Sequence, residues 1–169
     1  TGIEHTVEEA LRATLTQLGL PSSDGLLPRA VEAYFTPGEK NWRTYPDAIE
    51  TLQELCKRGL RIGLISNADD DGVVHRMVVL HGLAPYLHPV LSSAGGQKWR
   101  KPDPRIFRLV SNAWQLLPHE IAMVGDSPRY DVLGAHRAGM RAILIDRGEN
   151  MWWQKIPDEL ASDAAIHAD

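Results

Sequence analysis

Apolar residues recur at two different periods along this chain, and the change from one to the other divides it. Val7, Ala10, Leu11, Leu15 and Leu18 return every three or four positions, which places them on one face of a helix. Thr6 and Glu9 form the Thr-x-x-Glu pattern of a capping box at its start, and Gly19 followed by Pro21 stops it. A second helix is predicted over residues 26–35, ended by Thr36-Pro37-Gly38. No strand is predicted directly after these two helices. From Tyr45 the pattern alternates: helix 47–57 closed by Gly59, strand 61–66, helix 72–81, a short strand at 89–92, helix 104–116, strand 121–125, helix 128–138 and strand 141–146. Short apolar strands separated by amphipathic helices make right-handed βαβ units. The fold class is therefore α/β, a Rossmann-like parallel sheet with helices flanking both faces. Ligands of such sheets bind beyond the carboxyl ends of the strands, where Ser66, the 92–101 loop and Asp126 fall.

Composition narrows the function classes. A chain of 169 residues suits one compact domain with room for a small subdomain. It is 43% hydrophobic and 24% charged, and no apolar run approaches the roughly 20 residues of a membrane helix. The net charge of -4 argues against a nucleic-acid or anionic-membrane partner and leaves a small anionic substrate held by local positive charge. Cys56 has no second cysteine to pair with and shares a helix face with Leu52 and Leu55, so it is expected to be a buried thiol. With no signal-peptide pattern at the start, these features fit a cytoplasmic protein. His75 and His81 lie about 120° apart on their helix and do not form a metal pair. Neither Gly-x-Gly-x-x-Gly nor Gly-x-x-x-x-Gly-Lys-Ser/Thr occurs, which leaves a nucleotide-binding domain little support. The tail after Arg147, with Trp152 and Trp153, reads as a surface-packing segment.

Three loops carry candidate chemistry. In Val124-Gly125-Asp126-Ser127-Pro128-Arg129-Tyr130-Asp131, Ser127 suits an N-cap and Pro128 a first helical residue, so Asp126 ends the strand and Asp131 sits in the first helical turn. Two such carboxylates can hold Mg2+, which takes one or two of them along with water and substrate phosphate; Asp131 alone could also simply complement the helix dipole. Ser66-Asn67 ends a strand, where a hydroxyl and exposed N–H groups can bind a phosphoryl oxygen. Ser66 is equally a helix-capping serine, and Asp69-Asp70-Asp71 reads as an acidic first turn. Lys101 stands two residues before Asp103-Pro104, a fixed helix entry. Its ammonium can offset charge on phosphoryl oxygens, or it can be one more solvated loop lysine.

Ser66 at a strand end, Lys101-Pro102-Asp103-Pro104 before a helix, and Gly125-Asp126-Ser127 with Asp131 together resemble, in order and spacing, motifs two, three and four of the haloacid dehalogenase superfamily. The similarity runs from about Tyr45 to Gly148. It implies that Ser66 and Asn67 bind the phosphoryl group, Lys101 holds nucleophile and phosphoryl charge, and Asp126 ligates Mg2+, with Asp131 supporting the metal directly or through water. It implies a small phosphorylated substrate rather than a halogenated one, because the family's dehalogenases need no metal. Residues 1–44 would be a partial helical cap and residues 45–169 a core lacking the family's first strand.

That strand carries the family's Asp-x-Asp nucleophile motif, and nothing before Ser66 matches it. Asp24-Gly25 follows Pro21-Ser22-Ser23 rather than an apolar run and is read as an interhelical turn. The resemblance would place the lacking strand between strands 61–66 and 121–125. An upstream segment or a second chain is therefore expected to complete the sheet and supply the attacking aspartate of an aspartyl-phosphate mechanism. The alternative is a non-catalytic fold relative, or fragment, that binds a phosphorylated ligand or a protein partner.

Overall fold

The capping box at Thr6 forms in full: the Thr6 hydroxyl accepts the Glu9 N–H, and the Glu9 side chain accepts the Thr6 N–H. It opens α1 (Val7–Gln17) in a computed structural model that describes residues 2–21, 25–148, 157 and 160. The chain divides into two units, Ile3–Lys98 and Trp99–Asp169 with Thr1–Gly2. The Asp24 turn and the Trp152-Trp153 tail lie outside the described residues.

The first unit holds α1, α2 (Leu26–Asn41), α3 (Ala48–Lys57), β1 (Leu64–Ser66), α4 (Asp71–Leu80) and β2 (Val90–Ser92). Strands β1 and β2 pair in parallel, with Leu64 opposite Val90 and Ser66 opposite Ser92. Helix α4 buries Val73, Val74, Met77 and Val78, an i, i+4 stripe repeated on adjacent rows. Its N-cap is Asp70, whose carboxylate accepts the Val73 N–H at 2.8 Å.

Two expectations fail in this unit. Helix α2 does not stop at Thr36-Pro37-Gly38 but runs through Pro37 to Asn41. Proline removes one backbone donor from the ladder, and the turn beyond it is held by other bonds. Asn41 donates to the Pro37 carbonyl at 2.9 Å, and Arg76 of α4 grips Glu39 at 2.6 Å. Cys56 is exposed, not buried. Cys56 does lie one turn beyond Leu52 on the same side of α3, but that side is only partly covered: Leu52 and Leu55 are themselves half-buried, and near the end of the helix the thiol stays in solvent.

The second unit holds α5 (Pro104–Trp114), a 3-10 turn at Pro118–Glu120, β3 (Ala122–Gly125), a π-helical turn at Pro128–Val132, α6 (Leu133–Ala138) and β4 (Arg141–Leu144). The helix predicted over 128–138 therefore begins with a wider turn than the ordinary α geometry. Strands β3 and β4 pair in parallel, Ala122 opposite Arg141 and Gly125 opposite Leu144. One face of the pair packs inward: Ala142 and Leu144 lie against a core of Val132, Leu133 and Leu160. Helices α5 and α6 meet where Gly134 faces Phe107, which is fully buried; a Cβ at 134 would come within 2.5 Å of the Phe107 ring. No helix among the described residues is long and apolar enough to cross a membrane.

Candidate active site

Gly125 ends β3, and the chain must turn there without a side chain. A Cβ at this position would lie 2.3 Å from Asp131 Oδ2, so the carboxylate closes over the glycine backbone in space that only hydrogen leaves open. Asp131 reaches that place from the π-helical turn, in which the Val132 N–H bonds the Ser127 carbonyl at 3.2 Å and the Leu133 N–H bonds the Pro128 carbonyl. Such wide turns often mark functional positions in helices. Ser127 is the N-cap expected of it, its hydroxyl accepting the Tyr130 N–H at 3.1 Å.

Both Asp131 oxygens are engaged. Oδ2 accepts the Ser127 N–H at 3.0 Å, and Oδ1 accepts Lys101 Nζ at 2.6 Å. The side chains of Lys101 and Asp131 are only 11% and 5% exposed, so the pair sits in low dielectric, where loss of one partner leaves the other charge costly. Asp126, in the same turn, is exposed. Among the described residues no cluster of three or more His, Cys, Asp or Glu side chains forms a metal cage. The donors present nevertheless fit Mg2+: an exposed carboxylate, Asp126, at a strand end, and a second, Asp131, held in the turn that follows.

Lys101 is placed by the helix that follows it. Asp103 caps α5 by accepting the Arg105 N–H at 2.9 Å, and the Arg105 guanidinium returns to the same carboxylate at 2.9 and 2.6 Å. This bidentate hydrogen bonding from Arg105 holds the Asp103 carboxyl below its usual range. Arg105 in turn lies 5.0 Å from the centre of the Trp99 ring, so the aromatic covers the loop through a cation–π contact.

Ser66 belongs to the first unit. It ends β1 with its carbonyl accepting the Ser93 N–H at 2.8 Å, and its hydroxyl takes no hydrogen bond among the described residues. The Asp69-Asp70-Asp71 run divides its roles: Asp70 caps α4, while Asp71 accepts the Ser92 hydroxyl at 2.6 Å. No motif marks Ser93 or Glu4, which meet at 2.6 Å beneath this turn. Nothing in their spacing, 89 positions apart, announces the contact. The same unit holds a cavity of about 710 Å3 among α1, α2 and α4, lined by apolar Leu27, Val31 and Phe35, by Arg12 and Arg76 paired with Glu8 and Glu39, and by Glu32 and Asp70. That volume lies in the range of small-molecule pockets.

Thus Lys101 and Asp131 are in direct contact, Asp126 shares their loop system, and Ser66 with Asn67 stands at the end of β1 in the other unit. Residues 4–139 match the family described as haloacid dehalogenase-like hydrolase. The phosphoserine phosphatase of Thermus thermophilus is 42% identical over 117 residues, 69% of this chain and 46% of that protein. The (S)-2-haloacid dehalogenase 4A of Burkholderia cepacia is 32% identical over 143 residues, covering 85% of this chain and 58% of the relative. Among solved structures, a 2-haloacid dehalogenase from Pseudomonas syringae superposes with a TM-score of 0.68 at 28% identity, over 89% of this chain and 63% of that one. The chain spans about half the length of the curated relatives it matches.

Proposed function

Because this chain belongs to the haloacid dehalogenase-like hydrolases, we propose that it carries the accessory groups of a magnesium-dependent phosphate monoester hydrolase whose attacking aspartate comes from outside this sequence. The observation that carries the reading is the buried Lys101–Asp131 pair closed over Gly125 and followed in the same loop system by exposed Asp126. The family's dehalogenases need no metal, so the two carboxylates of this turn, Asp126 and Asp131, support the phosphatase reading over dehalogenation.

In this reading Asp126 is the direct Mg2+ ligand, and Asp131, its carboxylate held by Lys101 and the Ser127 N–H, would support the metal through its water. Bound there, Mg2+ would neutralise charge on the phosphoryl oxygens. The Lys101 ammonium adds positive charge on the same side of the reaction, where electrostatic stabilisation is the largest contribution to phosphoryl transfer. Ser66 and Asn67 bind the phosphoryl oxygens through hydroxyl and turn N–H groups. The phosphoryl group passes from the substrate oxygen to the aspartate carboxylate as the P–O bond to the substrate breaks, and the alcohol leaves with a proton from a general acid supplied, like that aspartate, from outside this sequence. Water then attacks the aspartyl phosphate, freeing phosphate and restoring the carboxylate. Helices α1 and α2 are assigned to a cap.

Two measurements test this. On the chain as it stands, Mg2+ titrated into a 15N-labelled sample should shift the amide resonances of Gly125 through Asp131, and Asp126→Asn should abolish the response. On the chain extended upstream by its own coding sequence, release of phosphate from an aryl phosphate should require Mg2+ and fall at least a hundredfold in Lys101→Ala, in line with the loss of one transition-state donor. Activity indifferent to metal or to Asp126→Asn would refute the reading. The lack of an Asp-x-Asp in this sequence favours a second one, a non-catalytic relative that binds a phosphorylated ligand. Coding sequence upstream with no such motif would select it.

A further inference from the structure

Two neighbouring serines at the end of β2 grip the turn that leaves β1. Ser92 donates its hydroxyl to Asp71 Oδ1 at 2.6 Å, tying β2 to the first turn of α4. Ser93, with no exposed surface, takes the other end of the turn: its Oγ accepts the Ala68 N–H at 2.9 Å and lies 2.6 Å from Glu4 Oε2 and 3.2 Å from the Ala68 carbonyl. A hydroxyl has one proton to give. The shorter, charge-assisted bond to Glu4 takes it, which turns a lone pair of Ser93 toward the Ala68 N–H. Glu4 is well placed to hold that choice. It is 4% exposed, its own N–H is bonded to the Lys98 carbonyl at 2.7 Å, and its Oε1 accepts the His5 N–H at 3.2 Å.

We propose that Glu4 is a positioning residue for the phosphoryl-binding turn: it fixes the Ser93 hydroxyl, and Ser93 fixes the Ala68 amide two residues beyond Ser66. The proposal rests on the reading of Ser66 and Asn67 as the groups that bind the phosphoryl dianion. Its physical content is preorganisation. A turn whose amide is already anchored loses less freedom when an anion orders it, and the difference shows as affinity. Without the Glu4 carboxylate the Ser93 proton turns to the longer bond with the Ala68 carbonyl, and the hydroxyl that holds the Ala68 N–H loses its side-chain anchor outside the turn.

The test uses the chain as it stands, with inorganic phosphate as the probe and binding read from the 1H–15N resonances of Ser66 to Ala68. Glu4→Ala should weaken phosphate about tenfold, the effect of one lost charge-assisted hydrogen bond, and speed hydrogen exchange at the Ala68 amide. Glu4→Gln keeps an acceptor for the Ser93 hydroxyl and should bind phosphate within about twofold of the parent. Ser93→Ala should weaken phosphate by the same factor as Glu4→Ala, and the double variant should lose no more than either single one, because both act through one hydroxyl. Thermal unfolding of each variant identifies any that has lost its fold, in which case Glu4→Gln and Ser93→Ala decide. Additive losses in the double variant, failure of Glu4→Gln to restore affinity, or undiminished binding by Glu4→Ala would each overturn the role of Glu4 and leave the phosphoryl-binding reading standing. A parent chain that does not bind phosphate at Ser66 to Ala68 would overturn both.

Discussion

At the scale of single residues, the site is governed by what Asp131 touches. Its carboxylate joins Lys101 Nζ at 2.6 Å and the Ser127 N–H at 3.0 Å, almost out of water. Asp131→Ala removes the acceptor of both the Lys101 ammonium and the Ser127 N–H and should cost about 2–3 kcal/mol in urea unfolding. Lys101→Met should cost clearly less, because Asp131 keeps the Ser127 N–H while a side chain of similar length fills the space. Equal costs would show that the pair is not the source of the penalty. Gly125→Ala places a methyl group 2.3 Å from Asp131 Oδ2 and should destabilise by roughly 1–3 kcal/mol as the carboxylate is pushed from Lys101. The types and order of Ser66, Lys101, Asp126 and Asp131 were legible in the sequence because each stands beside a strand end or a capped helix. The contact between Lys101 and Asp131 was not, since 30 positions separate them and only tertiary packing brings them together. Glu4 was invisible for the same reason.

At the scale of elements, local chemistry predicted starts better than stops. Thr6 with Glu9 and Asp103 with Pro104 cap α1 and α5 as their sequences require, because a cap is a bond between near neighbours. Pro37 misled because the loss of one donor can be outweighed by bonds from elsewhere, here Arg76 to Glu39. Pro37→Ala restores a backbone donor in the interior of α2. It should stabilise by about 1–2 kcal/mol, the helix preference for alanine less the gain in unfolded-chain freedom, measured by thermal melts. The start of α1 also carries a pH dependence. A hydrogen bond from Lys98, joined by the Thr6 N–H, lowers the Glu9 carboxyl from 4.5 to about 2. A carboxyl depressed in the folded state adds stability above its unfolded value and loses it as pH falls through the folded one. Glu9→Gln keeps the acceptor for Thr6 but not the charge for Lys98. The difference in melting temperature between parent and variant should therefore be constant above pH 4.5 and close between 4.5 and 2. A difference that persists unchanged at pH 2 would contradict the Lys98 attribution.

At the scale of the whole molecule, the parallel α/β class followed from the alternation of helices and short strands, but which faces of the strands are covered did not. Parallel sheets are ordinarily buried on both faces, so their strands read as continuous apolar runs with no alternation to mark an outside. Strands β3 and β4 break that rule: Ala142 and Leu144 face a core, while Val124 and Ile143 on the other face remain 48% and 53% exposed. The two faces therefore differ in what a substitution should cost. Leu144→Ala removes packing against Val132, Leu133 and Leu160 and should cost about 2–3 kcal/mol. Ile143→Thr keeps a branched strand residue at an exposed position and should stay within about 0.5 kcal/mol. The same Ile143→Thr change becomes informative in the chain extended upstream by its own coding sequence. If the added residues complete the sheet and bring a helix onto this face, the threonine hydroxyl is buried and the cost should rise to about 1–3 kcal/mol. If the cost stays near zero in both chains, the face is solvent-exposed in the longer protein as well, and a segment that covers it must be sought in a partner rather than upstream. Urea unfolding of the four proteins, two chains each with and without Ile143→Thr, separates these outcomes without any assay of activity.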